Sequence, residues 1–160
     1  MNELILEALR GISPDPIVSH TEYRGEFTVV LRRESIVACA KLLRDDDRFA
    51  FDSLRDLCGA DYARPEERFE VVYNLYSLKH NRRIRLKVRV DEADCRVPSV
   101  TSVWPAANWA EREAFDMYGI AFDGHPDLRR IYMPPEFEHH PLRKDFPLMG
   151  IPGSLPLPRK

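Results

Sequence analysis

The densest set of potentially reactive side chains lies between residues 108 and 146. This stretch reads NWAEREAFDMYGIAFDGHPDLRRIYMPPEFEHHPLRKDF and is rich in carboxylates, arginines, histidines and aromatic rings. These residue types build active sites, metal sites and surfaces that hold other proteins. Their spacing, and the elements that carry them, decide among the three uses.

Metal binding is the first chemistry to consider, because His125, His139 and His140 lie near several carboxylates. Adjacent histidines on an extended chain point in opposite directions, which separates His139 from His140. The sequence has no H-E-x-x-H motif, and its three cysteines are far apart. Iron–sulfur and structural zinc sites usually draw on closely spaced cysteines. We therefore expect no metal ligands in this chain, and a metal-dependent enzyme is the least favoured alternative.

Motifs for catalysis and nucleotide binding are also missing. The sequence has no G-x-S-x-G motif, and its seven glycines are too scattered for G-x-G-x-x-G or a P-loop. Glu113 and Asp116 could serve acid–base chemistry, but ion pairs along a helix explain them equally well. No catalytic residue is predicted.

Two similar segments stand out in the same stretch. HPDLRR, which begins at His125 and Pro126 and ends at Arg129 and Arg130, is echoed by HPLRKDF at residues 140–146. Proline fixes the local backbone, and arginine offers a rigid fork for carboxylates. The segments are either two similar turns or two clamps that pair with carboxylates, within this chain or across an interface.

The elements upstream predict the fold. FTVVL at residues 27–31 reads as a strand, and Ser35 is a plausible N-cap for the helix that follows. RFEVVYNLYSLKHNRRIRLKVRV reads as two strands with a turn near residues 79–81. Its second strand alternates apolar and basic residues, which places the apolar set on a core. We predict an α+β fold with a mainly antiparallel sheet and flanking helices.

A helix is predicted over SVTSVWPAANWAEREAFDMYG, with Gly119 just past its end. Helical periodicity puts five residues on one apolar stripe: Ala106, Trp109, Ala110, Glu113 and Met117. A carboxylate on that stripe needs a partner, so Glu113 is predicted to pair with Arg129 or Arg130. Arg112 and Asp116 are four residues apart and are predicted to pair along the helix.

The chain changes character after residue 118. Eight of the 13 prolines lie between residues 126 and 158, among scattered aromatic and aliphatic side chains. Proline blocks helices and central strands. We predict an α+β domain over residues 1–118 and an extended proline-rich arm over residues 119–160, which docks on partner subunits.

Composition limits the partners. The net charge of −2 gives no overall attraction to nucleic acid or anionic lipid. The basic strand face, with Arg83, Arg85, Lys87 and Arg89, is expected to be solvated, and RNA binding by that face is an alternative.

No apolar run approaches the ~20 residues that span a bilayer. The N-terminal MNELILEALRG lacks a basic leader region, so we expect the protein to work where it is made, most simply a bacterial cytoplasm.

A family resemblance lies in these same residues. EREAFDMYGIAFDGHPDLRRI, followed by HPLRKDFPL, closely resembles the signature of the C subunit of NADH:quinone oxidoreductase, the thirty-kilodalton subunit family of respiratory complex I. The similarity extends over roughly residues 35–148. Family members usually have Trp, an acidic residue and Gly before the second His-Pro. His139 replaces that glycine here, so the local turn is expected to differ.

The resemblance implies a function and a location. Family members are hydrophilic subunits of the peripheral arm, on the cytoplasmic side of the bacterial inner membrane, and touch the membrane only through the complex. They bind no cofactor, whereas FMN and iron–sulfur clusters are carried elsewhere in the holoenzyme. They pack on the D subunit of the complex, with its B and I subunits nearby, and bind no nucleic acid. The resemblance also covers equivalent subunits of membrane-bound hydrogenases and dehydrogenases with other electron donors.

The resemblance divides the candidate residues into two sets. The first set matches the family motif and is expected to brace the structure: Trp109, Glu111, Arg112, Glu113, Asp116, Gly119, His125, Pro126, Arg129 and Arg130. The second set is expected to contact the D subunit: His140, Pro141, Leu142, Arg143, Lys144, Asp145 and Phe146.

Overall fold

The computed structural model describes residues 1–154, which form three α-helices and seven strands. The helices are α1 (Asn2–Arg10), α2 (Ile36–Asp45) and α3 (Ala107–Tyr118). The strands are β1 (Ile17–Tyr23), β2 (Glu26–Leu31), β3 (Ser53–Asp61), β4 (Phe69–Ser77), β5 (Arg82–Val90), β6 (Arg96–Pro98) and β7 (Ala121–Asp123). A short 3-10 helix, Arg33–Ser35, precedes α2.

Five strands form one sheet in the order β1-β2-β5-β4-β3. All neighbours are antiparallel except β2 and β5, which are parallel. The predicted hairpin is β4 and β5, paired from Phe69–Val90 to Ser77–Arg82. The predicted α+β class with a mainly antiparallel sheet and flanking helices is confirmed.

One face of the sheet packs against the helices and forms the hydrophobic core with them. The inward residues of β4 and β5, such as Tyr73 and Leu86, pack with the apolar sides of α1 and α2, including Leu9 and Ile36. The opposite face carries the basic residues of β5, which are half-buried or exposed. Period-two alternation therefore separates the two faces as predicted from sequence.

Strand β1 was not predicted, because IVSHTEY has no apolar alternation. It lies at the edge of the sheet, and six of its seven residues are exposed. An edge strand with two exposed faces carries no hydrophobic period to detect.

The core continues beyond residue 118. Helix α3 ends at Gly119, whose φ of 79° is the left-handed conformation that glycine adopts readily. Ile120 and Phe122 then enter the core, and β7 pairs in parallel with β6. Residues on both sides of α3 are thereby joined into one packed unit.

Candidate docking site held by buried carboxylates

The orientation of α3 determines which of its carboxylates are buried. The helix packs along β3, where Tyr118 lies so close to Gly59 that a Cβ on Gly59 would be 2.7 Å from the Tyr118 ring. Its buried residues are Ala107, Glu111, Ala114, Asp116 and Met117. Small alanines face the sheet because the two elements approach closely.

The predicted apolar stripe on α3 was therefore wrong at Ala106, Trp109 and Glu113, which are exposed, whereas Met117 is buried and Ala110 is half-buried against the core. Trp109 is 66% exposed, and Glu113 is exposed as well. Glu113 does not pair with Arg129 or Arg130, since its carboxylate instead accepts a hydrogen bond from the Tyr132 hydroxyl at 3.1 Å. The prediction assigned the buried side of α3 from the large Trp109 ring, which in fact faces outward. Size and hydrophobicity do not by themselves determine burial.

Asp116 is the carboxylate that holds the following segment. Its Oδ2 accepts hydrogen bonds from the backbone N–H groups of residues 131–133 at 2.7–3.1 Å. Its Oδ1 accepts from Arg130 Nη1 at 2.6 Å. Burial alone would raise the pKa of Asp116, but these four donors together lower it.

Arg112 also acts on that segment rather than on Asp116, which corrects the predicted helix pair. Its guanidinium donates to the backbone carbonyls of Arg129 and Arg130 at 3.0 and 3.3 Å. It also stacks on the Trp109 ring, with 4.8 Å from Cζ to the ring centroid. Asp116 is fully occupied by Arg130 and by backbone donors, so it is not available to Arg112.

Glu111 forms a second buried site. It accepts from Ser99 Oγ at 2.6 Å and from the backbone N–H of Val100 at 2.8 Å. Burial raises the pKa of Glu111 to about 7, against the opposing effect of the two hydrogen bonds. Glu111 thereby fixes the loop that follows β6.

The buried His125 ring lies beside Glu111, with 4.0 Å between Nε2 and Oε2. Its Nδ1 accepts from the backbone N–H of Asp127 at 3.0 Å, so the proton of the neutral ring is on Nε2. Nε2 then donates to the carbonyl of Asn108 at 3.1 Å. His125 therefore ties the segment after β7 to the first turn of α3, and Pro126 follows it at an exposed position.

Asp61 forms the third buried site, which was not predicted from sequence. Arg68 binds its carboxylate in a fork, at 2.8 and 3.1 Å. The backbone N–H of Lys144 donates to Asp61 at 2.7 Å, and Asp145 pairs with Arg68 at 2.9 Å. Burial opposes ionisation, but the donors hold the pKa of Asp61 down to about 2. The signal was available, since Asp61 ends β3 and Arg68 precedes β4 across one hairpin loop.

Gly119 lies under the second His-Pro segment. A Cβ on Gly119 would lie 2.6 Å from His140 Nε2 and 2.8 Å from Arg143 Nη2. His140 Nδ1 donates to the carbonyl of Asp116 at 3.0 Å, and Arg143 Nε donates to the carbonyl of Tyr118 at 2.7 Å. Both side chains thus cover the exposed carbonyls at the end of α3.

The residues expected to contact a partner differ in how far they are already buried or bonded within their own chain. Pro141, Arg143 and Phe146 are half-buried, and Asp145 is paired with Arg68. Leu142 is 50% exposed, although its backbone N–H donates to the carbonyl of Met117 at 3.1 Å. Lys144 is exposed in its side chain.

These contacts fix an exposed surface with large side chains, which we call the α3/C-terminal surface. It is defined by Trp109, Glu113, Tyr132 and Leu142, all on or beside α3. Tyr132 is 65% exposed although its backbone is bound to Asp116. Aromatic anchors on a rigid backbone are typical of protein interfaces.

Metal sites and membrane spans are absent from the described part of the chain. Within residues 1–154, no group of three or more His, Cys, Asp or Glu side chains is arranged to hold a metal ion. Over the same residues, no helix has the length and apolar character needed to cross a membrane.

Residues 29–152 match the family described as respiratory-chain NADH dehydrogenase, 30 Kd subunit. The chain belongs to this family. Among curated members, the C subunit of NADH-quinone oxidoreductase from Roseiflexus sp. (strain RS-1) is 54% identical over 92% of this chain and 84% of its own. The C subunit from Methylobacterium sp. (strain 4-46) is 59% identical over 94% of this chain and 68% of its own. The resemblance predicted from the motif is confirmed.

Two solved structures are similar to this chain. The trypsin-resistant fragment (1-134) of Nqo5 is 37% identical, covers 80% of this chain and all of its own, and superposes with a TM-score of 0.64. A chain of an archaeal membrane-bound sulfane sulfur reductase is 23% identical and superposes with a TM-score of 0.74 over 92% of this chain and 85% of its own. The second likeness is one of fold.

Proposed function

We propose that this chain is a non-catalytic scaffold subunit in the peripheral arm of a proton-translocating NADH:quinone oxidoreductase. In this role it supports electron transfer from NADH to quinone, while FMN and the iron–sulfur clusters are bound by other subunits. Its place is on the cytoplasmic side of a bacterial inner membrane, with membrane contact through the complex. Family membership supports this proposal, together with the lack of any catalytic or nucleotide-binding motif in the sequence.

The observation that carries the proposal is the α3/C-terminal surface. Asp116 accepts four hydrogen bonds from residues 130–133, and that fixes the backbone beneath Tyr132. Because these bonds form within the chain, docking would cost little further ordering of the backbone. Trp, Tyr and Arg dominate the binding energy of protein interfaces, and this surface offers Trp109 with Arg112 stacked on it.

The proposed partner is the D subunit, with the B and I subunits nearby, as the family resemblance implies. The predicted arm docks there through the part of residues 119–154 that its own chain leaves open, chiefly Leu142 and Lys144. Residues 155–160, the end of the predicted arm, lie outside the described residues.

RNA binding by the basic strand face is less favoured. Lys87 and Arg89 pair with Glu70 at 2.7 and 3.2 Å, and Arg85 pairs with Glu26 at 2.9 Å. These contacts neutralise most of the stripe that would otherwise follow a phosphate backbone. An equivalent component of a hydrogenase or other-donor dehydrogenase remains the alternative within the family.

Co-purification tests the proposal. The full chain, carrying Leu142→Asp or Trp109→Ala, is expressed in place of the wild type, and the D subunit is quantified after mild-detergent extraction. We expect both substitutions to reduce its recovery at least about tenfold, since interface anchors contribute about 2 kcal/mol or more. Leu78→Asp is the matched control, because Leu78 is an exposed leucine in the β4–β5 turn.

Three results would contradict parts of the proposal. Recovery of the D subunit equal to wild type in both variants would exclude the α3/C-terminal surface as the docking site. Loss in the Leu78→Asp control as well would show a general effect of the added charge. Recovery of nickel–iron hydrogenase subunits in place of flavin-bearing NADH-oxidising subunits would favour the related complex.

A further inference from the structure

A cleft of about 480 Å³ lies on the outer face of the sheet, where β2, β3, β4 and β5 come together. Four arginines line it: Arg24, Arg55, Arg83 and Arg85. Glu26 is the carboxylate in the lining. The cleft thus holds an excess of positive charge in a chain whose net charge is −2.

The four arginines differ in their partners. Arg85 is satisfied within the cleft, since it pairs with Glu26 at 2.9 Å and donates to Asn74 Oδ1 at 3.1 Å. Within residues 1–154, no carboxylate oxygen lies within 4.0 Å of the guanidinium nitrogens of Arg24, Arg55 or Arg83. Among the described residues, the charge of these three arginines is therefore not offset by a carboxylate in direct contact.

The positions of two of these arginines, Arg55 and Arg24, are restricted. Arg55 lies over the Tyr76 ring at 5.8 Å, and the Tyr76 hydroxyl donates to Asn81 Oδ1 at 2.6 Å. Arg24 occupies the two-residue turn between β1 and β2, and both it and Gly25 have positive φ. That turn geometry matches the twist of the flanking strands and holds Arg24 at the rim. Restricted guanidinium groups lose less entropy when they bind a carboxylate.

We propose that this arginine cleft binds an acidic segment of a partner protein. Guanidinium groups recognise carboxylates by paired hydrogen bonds, and Arg24, Arg55 and Arg83 have no carboxylate partner among residues 1–154. Glu26 and the neighbouring Asp56, which accepts a hydrogen bond from Asn74, would repel a continuous phosphate backbone, whereas a short acidic segment can avoid them. Arg55 lies over the Tyr76 ring at 5.8 Å, so its guanidinium competes for the ring face on which single-stranded RNA would stack a base.

The proposed segment belongs to a neighbouring component of the complex, so this inference rests on the proposed function in naming its source. The site itself lies on the outer face of the sheet and shares no residue with the α3/C-terminal surface. Leu142→Asp should therefore leave binding at the cleft unchanged, which makes failure of one proposal distinguishable from failure of the other.

The test uses fluorescence anisotropy of labelled hexaglutamate titrated with the full chain at low ionic strength. Wild type is expected to bind hexaglutamate and not hexaglutamine. The double variant Arg55→Gln with Arg83→Gln should weaken binding at least about tenfold, because charge-assisted hydrogen bonds are lost. Both side chains are exposed, so thermal unfolding followed by circular dichroism should match wild type.

The control variant is Arg10→Gln with Arg64→Gln, which removes the same charge from two exposed arginines outside the cleft lining. It should retain hexaglutamate binding within about twofold, since long-range effects of exposed charges are screened. Three results would overturn the proposal: no binding of hexaglutamate by wild type, equal weakening in both double variants, or tighter binding of a uridine hexanucleotide than of hexaglutamate.

Discussion

The replacement of Asp116 by alanine should loosen the segment that follows α3. Four donors lose their acceptor: Arg130 and the backbone N–H groups of residues 131–133. Removing one partner of a buried ion pair typically costs about 3–5 kcal/mol. Here water can reach the exposed Tyr132, and Arg130 keeps its hydrogen bond to the His139 carbonyl. We therefore expect the lower end, a loss of about 3 kcal/mol in the free energy of unfolding.

Urea unfolding of the full chain at neutral pH, followed by circular dichroism, measures this loss. Glu113→Ala is the matched control, because Glu113 is one helical turn away, exposed, and bonded only to the Tyr132 hydroxyl among residues 1–154. Its loss of stability should be clearly smaller. Trypsin should also cut Asp116→Ala faster at Arg129 or Arg130, since the backbone there is no longer held.

The pH dependence follows from the lowered pKa of Asp116. A carboxylate with a depressed pKa stabilises the fold above its unfolded pKa of about 4, and this contribution disappears as the pH falls through the folded-state value. The difference between wild type and Asp116→Ala should shrink in acid accordingly. Equal losses in Asp116→Ala and Glu113→Ala would refute the assignment of the bracing role to Asp116.

Three further predictions concern the other buried contacts. Stability contributed by ionised Asp61, whose pKa is lowered to about 2, should be complete above about pH 4 and be lost toward pH 2. In urea unfolding, Asp61→Asn should abolish the fall in the free energy of unfolding between about pH 4 and pH 2. An unchanged fall would contradict the pairing with Arg68. For Glu111, burial raises the pKa from 4.5 to about 7, so the fold favours the protonated carboxyl. The stability that protonated Glu111 contributes is complete below pH 4.5 and is lost as the pH rises through 7. Glu111→Gln should thus gain stability relative to wild type over that range, by up to about 3 kcal/mol, and a pH-independent difference would argue against it. Gly119→Ala should destabilise the chain more than Gly124→Ala, because both have positive φ but only Gly119 would place a Cβ against other atoms. Thermal unfolding that ranks the two equally would exclude the steric contribution.

The sheet and the candidate site differed in how far sequence could predict them. The β4–β5 hairpin follows from alternation, which is local and needs no knowledge of partners. The buried carboxylates depend on contacts between distant residues, such as Glu111 with Ser99 and Asp61 with Lys144. The helical stripe predicted that Glu113 was buried, because the hydrophobicity of Trp109 was used to assign the buried side of α3. The side that is buried is instead set by the close approach of β3, which the sequence does not show.

The family motif marked a set of candidate residues in the chain but did not distinguish their roles. Asp116 and Arg130 form the predicted kind of clamp, within the chain, and the two His-Pro segments each place a histidine against α3. His125 bonds near the start of the helix and His140 near its end. Sequence alone left open whether such clamps act within one chain or across an interface.

The bond from Lys144 to Asp61 spans 83 positions, and α3 lies in the sequence between β7 and its pairing partner, residues 96–98. During synthesis, the early strands would emerge long before these late residues can cover Asp61 and Arg68. Contacts between such distant positions slow the last steps of folding. A nascent chain that stalls before residue 144 would expose a charged fork and an unfinished core, so release from the ribosome should precede assembly into the complex.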